Sequence, residues 1–444
     1  MENLAAQLDP LNGAHTPGST SRTGPTVAII GGGWAGLSCA VECVRRGLRP
    51  TVFEAAAGVG GRARTVGLDG LRLDNGQHIL IGAYDATLSM MRAVGADPDH
   101  LLHRQPLALT FADGFELRAR SGSQLGLAMA FLGCRGLSWS DRFAALRLMR
   151  AIKRPCGKDE TVAGLLARTA QTANNTRHLW APLCIAALNT GVADASAHVF
   201  ACVLRDSLMG ARGASDLLLP KVDLGQLFPE PAVDWLTARD CEVRTGVRVR
   251  AVREDERGFV LSDSTVDEIF DRVVFATSPH QVPALLGELP GLTALAAQIG
   301  LLEYEPISTV YAAFDAGMQL PAAMTGFAEG EPHWLFDRGA LGGPAGLTAG
   351  VVSAATMPRD QTEAAVLATL RAQHPDLPAP LWVRTITEKR ATFRCTPGRP
   401  IVAQPADARI ALAGDYLLPD YPATLESAVR SGVAAARRVS APSP

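Results

Sequence analysis

The chain has 444 residues, 47% of them hydrophobic, with 42 Lys and Arg against 44 Asp and Glu. That length allows two or three cores of ordinary size, and the near balance of charge argues against a nucleic-acid binder held by a basic field. The eight cysteines are scattered without a CxxC pair, which disfavours zinc and iron–sulfur sites, so no metal is expected, and suits a reducing cytoplasm.

In chain order, residues 1–24 are rich in Pro, Gly, Ser and Thr and lack a long apolar run. They predict a disordered extension without a secretory signal. Thr26 to Ile30 reads as a short buried strand. Trp34 to Arg46 follows as a helix that Gly47 stops, and Thr51 to Glu54 is a second strand. A further glycine cluster, Gly58, Gly60 and Gly61, precedes Arg62. Leu125 to Leu132 is the best apolar run and falls short of the ~18 residues a spanning helix needs. Ser138 caps a helix that reaches about Lys153, with Asp141 near its positive end. Residues 231–239 predict a helix with Pro231 in its first turn. Val243, Thr245, Val247 and Val249 alternate with polar residues, the pattern of a half-exposed strand. Strands are expected at 259–262, 272–277 and 410–413, and a last helix from Thr424 to about Arg438.

This order gives an α/β fold. A Rossmann-type dinucleotide-binding domain is assembled from 25–100, 231–299 and 400–440, and an inserted mixed α+β substrate domain from 101–230 and 300–399.

The chemistry begins at Gly31-x-Gly33-x-x-Gly36, between the first strand and the first helix. Gly31 permits a tight turn, Gly33 lets backbone approach a pyrophosphate, and Gly36 lets the helix pack close to the strand. Trp34 and Ala35 open the helix whose free N–H groups meet the phosphates. Glu54 lies 18 residues after Gly36 at a strand end, placed to accept from an adenosine ribose and to repel a 2′-phosphate. Gly60-Gly61-Arg62 adds backbone that can near a ligand and a guanidinium that can neutralise a diphosphate. Only one GxGxxG is present, so electrons must come from the substrate or from a separate reductase or carrier.

Glu54-x5-Gly60-Gly61-Arg62-x-x-Thr65 resembles the amine oxidase and phytoene desaturase superfamily of FAD enzymes. The resemblance implies FAD, with Asp415 of Gly414-Asp415 on its ribityl hydroxyls. The helix near Thr424 would aim its N-terminus at the flavin pyrimidine ring. Gly76, Gln77, His78 and Val249 complete the expected cofactor set.

A closer likeness rests on residues 73–80 (LDNGQHIL), 182–190 (PLCIAALNT), 204–208 (LRDSL), 215–224 (SDLLLPKVDL), 388–393 (EKRATF) and 420–428 (DYPATLESA). These strings, and residues 25–438 generally, are similar to squalene-associated FAD-dependent desaturases, understood as hydroxysqualene dehydroxylases of hopanoid synthesis. The resemblance implies that hydride from reduced FAD replaces the hydroxyl of hydroxysqualene, giving squalene and water. That reaction needs an acid at the leaving oxygen and a long dry tunnel. The apolar stretches 125–132 and 301–314 are tunnel material or ordinary core. Asp206, Asp216 and Asp223 are the candidate acids, or else members of ion pairs, for example Asp206 with Arg205 or Arg212. His78 contacts flavin or satisfies a backbone carbonyl. Asn189, Tyr416 and Tyr421 are candidates for the substrate side, packing being the alternative for the tyrosines.

A lipid substrate implies contact with the inner surface of the cytoplasmic membrane. Residues 119–137, flanked by Arg118, Arg120 and Arg135, are either a surface patch for it or a buried helix with solvated arginines. Two other readings stand beside this one. The first is an oxidising enzyme, a carotenoid-type desaturase or an amine oxidase; against the amine oxidase, the chain is Lys-poor and only 6% aromatic. The second is a non-catalytic lipid-handling protein that retains FAD.

Overall fold

The computed structural model describes residues 24–263 and 267–441; the expected N-terminal extension lies outside the described residues, Gly24 apart. Thr26–Ile30 (β1) runs parallel to Arg49–Glu54 (β2) on one side and to Arg272–Phe275 (β4) on the other. Glu242–Thr245 (β3) joins β2, and Ile410–Leu412 (β5) joins β4. The result is a five-stranded parallel sheet of order β3-β2-β1-β4-β5, a Rossmann-type sheet. Ile29 sits opposite Val52 and Val274, and all three are buried. An apolar run without alternation is what a strand covered on both faces requires.

The first helix, Trp34–Arg45, crosses the last helix, Leu425–Ser440. They meet backbone to backbone: a Cβ on Gly432 would lie 2.2 Å from the carbonyl oxygen of Ala35. Gly47 ends the first helix region with φ +77°.

Two elements differ from their sequence reading. The predicted strand over 243–249 stops at Thr245, because Gly246 turns the chain at φ +74°. Residues 247–250 then line the central cavity instead of extending the sheet. The predicted helix at 231 begins at Pro229, whose ring suits a first helical position equally well.

The second part of the fold is built on a five-stranded antiparallel sheet. Its strands follow the order Met324–Gly326, Trp334–Asp337, Leu347–Ser353, Tyr304–Ala313 and Trp382–Phe393. The apolar stretch 301–314 is therefore largely an interior strand, paired along both edges. The helix Arg359–Gln373 packs its Val366 and Leu370 against Val310, Leu335 and Val352. Among the described residues, no helix is long and apolar enough to cross a membrane.

Trp139–Ala151 starts with a capping box: Ser138 Oγ accepts from the N–H of Asp141, and the Asp141 carboxylate accepts from the N–H of Ser138. Burial raises the Asp141 carboxyl, but hydrogen bonds from Thr172, Asn174 and Ser138 outweigh it and bring the pKa to about 2. A depressed carboxyl stabilises the fold above its unfolded value of about 4. That stability should disappear as pH falls from about 4 to 2. Urea titrations of wild type and Asp141→Asn should converge over that range. At the helix crossing, Gly432→Ala should lower stability by about 1–3 kcal/mol, read as a lower urea midpoint at unchanged slope.

Candidate functional site

A cavity of about 940 Å³ joins the C-terminal edge of the parallel sheet to the long strand Trp382–Phe393 and the helix Ala181–Leu188. Its walls contain almost every residue of the expected cofactor set: Gly31, Gly33, Trp34, Ala35, Glu54, Gly61, Arg62, Gly76, Gln77, His78, Val249, Gly414, Asp415 and Thr424. Gly36 is the exception. A Cβ there would lie 1.9 Å from the Gly31 carbonyl oxygen, so its place is in helix–strand packing.

At the turn, Gly31 adopts φ +117°, and a Cβ would come within 2.5 Å of the Ala276 carbonyl. Gly61, at φ +63°, brings its backbone against Gly33. Gly33 caps the first helix without any side-chain hydrogen bond, which leaves first-turn N–H groups without an intrahelical partner, the usual seat of an anion. Glu54 is clamped: Oε2 accepts from Gly32 N and Oε1 from Ala56 N, each at 2.8 Å. Each oxygen keeps a second lone pair for a hydroxyl.

Arg62 was expected at the diphosphate and Asp415 at the ribityl chain, and the fold pairs the two directly, Nη2 to Oδ1 at 2.6 Å. A second guanidinium nitrogen donates to the Ala391 carbonyl. Burial works against the charge on Arg62, and Asp415 followed by Glu388 more than restores it. His78 meets both of its expectations, since it lines the cavity while its Nδ1 bonds the Gly76 carbonyl at 2.9 Å. Burial, assisted by Arg62, pushes its pKa down, so the ring is neutral and Nε2 is an acceptor. Thr424 caps the last helix by accepting from Ser427 N.

Asn75 Nδ2, Gln77 Oε1 and Thr277 Oγ1 are buried without a hydrogen-bond partner, and all three belong to residues of the cavity wall. Buried polar atoms are ordinarily satisfied. Together with the glycine-lined turn, they fit a polar, dinucleotide-sized group.

The other expected residues are placed differently. Asp206 accepts from the Tyr421 hydroxyl and not from Arg205, which donates to the Ile152 carbonyl. Asp216 pairs with Arg104 at 3.0 Å. Asp223 caps the turn Leu224–Leu227 and binds Arg72 and Thr65, an arrangement that overcomes burial and holds its carboxyl well below the usual range. None of the three aspartates lines the cavity. Asp206 and Asp223 are held by structural partners; Asp216 is held through Oδ2, as the ion-pair alternative has it, while its Oδ1 is buried without a partner. Tyr416 is buried beside Gly414, and Tyr421 lies under Arg430; neither forms part of the wall. Asn189 does line it, but its amide is committed. Oδ1 accepts from Ala354 N, and Nδ2 donates to Thr392 Oγ1, which ties the end of the helix Ala181–Leu188 to the antiparallel sheet.

In place of the aspartates, the wall carries His280, Glu388, Lys389 and Arg390. The last three lie in the 388–393 string, whose likeness gave them no role. His280 lay in a loop with no periodicity to mark it. Burial lowers its pKa first, then the positive charges of Arg390 and Arg62.

Against known proteins, residues 34–440 match the model of the flavin-containing amine oxidoreductases. The chain is 29% identical to a hydroxysqualene dehydroxylase of Rhodopseudomonas palustris, over 93% of this chain and 97% of that one. A probable zeta-carotene desaturase of Synechococcus elongatus is 23% identical over 65% of this chain and 66% of its own length. Among solved structures, cyclohexylamine oxidase from Brevibacterium oxydans superposes with a TM-score of 0.67 at 19% identity, over 94% of this chain and 99% of the other.

The displaced aspartates give a direct test. Asp223→Ala should cost about 1–2 kcal/mol in urea unfolding through loss of the cap. The flavin-to-protein absorbance ratio of the purified variant should equal that of wild type.

Proposed function

We propose, for a chain that belongs to the flavin-containing amine oxidoreductase family and takes FAD as its cofactor, that the reaction is reductive dehydroxylation of hydroxysqualene to squalene. The observation that carries this reading is the end-to-end likeness to a hydroxysqualene dehydroxylase. The cavity supports it by bringing the 388–392 stretch to the dinucleotide turn.

In this reading Gly31, Gly33, Gly61 and the first N–H groups after Gly33 hold the diphosphate, and Glu54 accepts from the adenosine ribose. Asp415 accepts from the ribityl chain, and Arg62 orients its carboxylate. When bound and reduced, FAD supplies the hydride that takes the place of the hydroxyl. An outside reductase or carrier returns the electrons, since the chain shows a single dinucleotide fingerprint.

The hydroxyl must leave as water and so needs a proton. Glu54 is held by backbone amides and Asp415 by Arg62, so the proton falls to His280 with Glu388 nearby. The cations around His280 favour its neutral form and raise the donor strength of the protonated ring.

Anaerobic reduction of the bound flavin followed by hydroxysqualene should give stoichiometric flavin reoxidation and squalene by mass spectrometry. Flavin that stays reduced, with no squalene formed, overturns the reading; flavin reduced by a polyene would put desaturation in its place. His280 donates only when protonated, and its pKa is lowered. Single-turnover rates should therefore rise as pH falls from 8 toward 6, and His280→Gln should flatten the profile with about a 10²-fold loss. Arg62→Ala, which leaves Asp415 without its partner, should weaken FAD binding at least about tenfold by fluorescence titration.

A further inference from the structure

Six of the eleven large apolar side chains most exposed among the described residues fall between positions 125 and 146: Leu125, Met129, Leu132, Trp139, Phe143 and Leu146. They occupy two helices, Gln124–Leu132 and Trp139–Ala151. Within each helix the spacing is i, i+4, i+7, which sets three side chains on one outward stripe. Leu125 is 72% exposed and Trp139 66%. The opposite faces are already used, since Leu127, Ala130, Ala144, Ala145 and Leu148 enter the interior. The first helix is thus apolar on both sides while lying on the surface, where a helix facing water ordinarily turns polar.

The two stripes form one platform. Arg142, from the second helix, donates to the carbonyls of Phe131 and Cys134 at the end of the first, and its guanidinium stacks 5.0 Å over the Trp139 ring.

Charge around the platform is one-sided. From Arg118 to Lys158 the sequence carries nine Lys and Arg and a single carboxylate, Asp141, in a chain of net charge −2. Asp141 is buried in its capping box and offers nothing to the exterior. Arg118 and Arg135, 62% and 79% exposed, flank the first helix and share Glu116 as their ion partner, while Arg120 and Arg150 are also exposed.

From this geometry we infer that the platform is the face by which the protein sits on a lipid bilayer bearing anionic headgroups. The two apolar stripes enter the acyl boundary while the surrounding arginines meet phosphate groups. An aqueous protein partner could match the cations alone, but two exposed apolar stripes bordered by arginines suit the acyl boundary and the anionic headgroups of one bilayer together. Of the two sequence readings for 119–137, a surface patch or a buried helix, the exposed stripe favours the patch, which takes in a second helix. Its apolar residues at 125, 129 and 132 point away from any internal tunnel.

The inference goes beyond the dehydroxylase reading and is tested without isoprenoid. Full-length protein is sedimented with vesicles of phosphatidylcholine plus phosphatidylglycerol, or of phosphatidylcholine alone. The expected result is a partition at least tenfold higher on the anionic vesicles, falling as salt is raised. The double variant Met129→Ser, Phe143→Ser should lose at least tenfold of it while keeping its flavin spectrum and melting temperature. Arg120→Gln with Arg150→Gln, both at exposed positions, should lower the preference for anionic lipid at least about tenfold. Fluorescence lost in Trp139→Phe should be the component quenched by brominated acyl chains. Absence of sedimentation, or sedimentation unchanged in both double variants, overturns the inference. So does a dimer in lipid-free solution that the Met129, Phe143 variant dissociates without any vesicle binding by wild type, which would assign the platform to a second copy of the chain.

Discussion

The architecture depends on three places where backbone must touch backbone. Gly36 lies against the Gly31 carbonyl, Gly61 against Gly33, and Gly432 against the Ala35 carbonyl. A side chain at Gly36 or Gly432 would separate the first helix from β1 or the last helix from the first, and one at Gly61 would press on Gly33 from a left-handed backbone. Close approach at all three puts the helix N-terminus, the Arg62 loop and the Gly414-Asp415 turn around one cavity. Sterics at three glycines thereby set where the cofactor of this flavoprotein family can lie.

Electrostatics then divide the cavity. Arg62 and Asp415, 353 positions apart in the chain, form a partly buried pair, and such a pair is sensitive to loss of either partner because the other is left uncompensated. Burial depresses His78 and His280, and the same guanidinium adds to it at both. Two imidazoles that would be partly charged near neutrality in water are thus turned toward their neutral forms. One is fixed as an acceptor by the Gly76 carbonyl. The other stays beside Glu388 and Arg390 and is the side chain on which the proposed proton delivery rests.

The second part of the fold contributes on both its inner and outer surfaces. Inward, the strand Trp382–Phe393 delivers Glu388, Lys389 and Arg390 to the cavity, and Asn189 pins the neighbouring helix to that sheet. Outward, the helices Gln124–Leu132 and Trp139–Ala151 expose apolar stripes within a cationic segment. A lipid substrate, as proposed, would suit both: a walled reaction site and an apolar outer face.

The sequence by itself determined the dinucleotide turn. Gly31, Gly33, Gly36, Glu54 and Arg62 act through local backbone geometry and strand-to-helix spacing, both of which are written in consecutive residues. The Ser138 cap with Asp141 near the helix end was legible for the same reason. Only the tertiary structure decided what long-range contacts decide. For Asp206, Asp216 and Asp223 the letters left acid and ion pair open, since the partners, Tyr421, Arg104 and Arg72, lie far along the chain. The pairing of Arg62 with Asp415 was equally invisible. Nor could the apolar run at 125–132 be sorted between core, tunnel and surface: a helix pattern records which residues share a face, while the direction in which that face looks is fixed only by what packs against it.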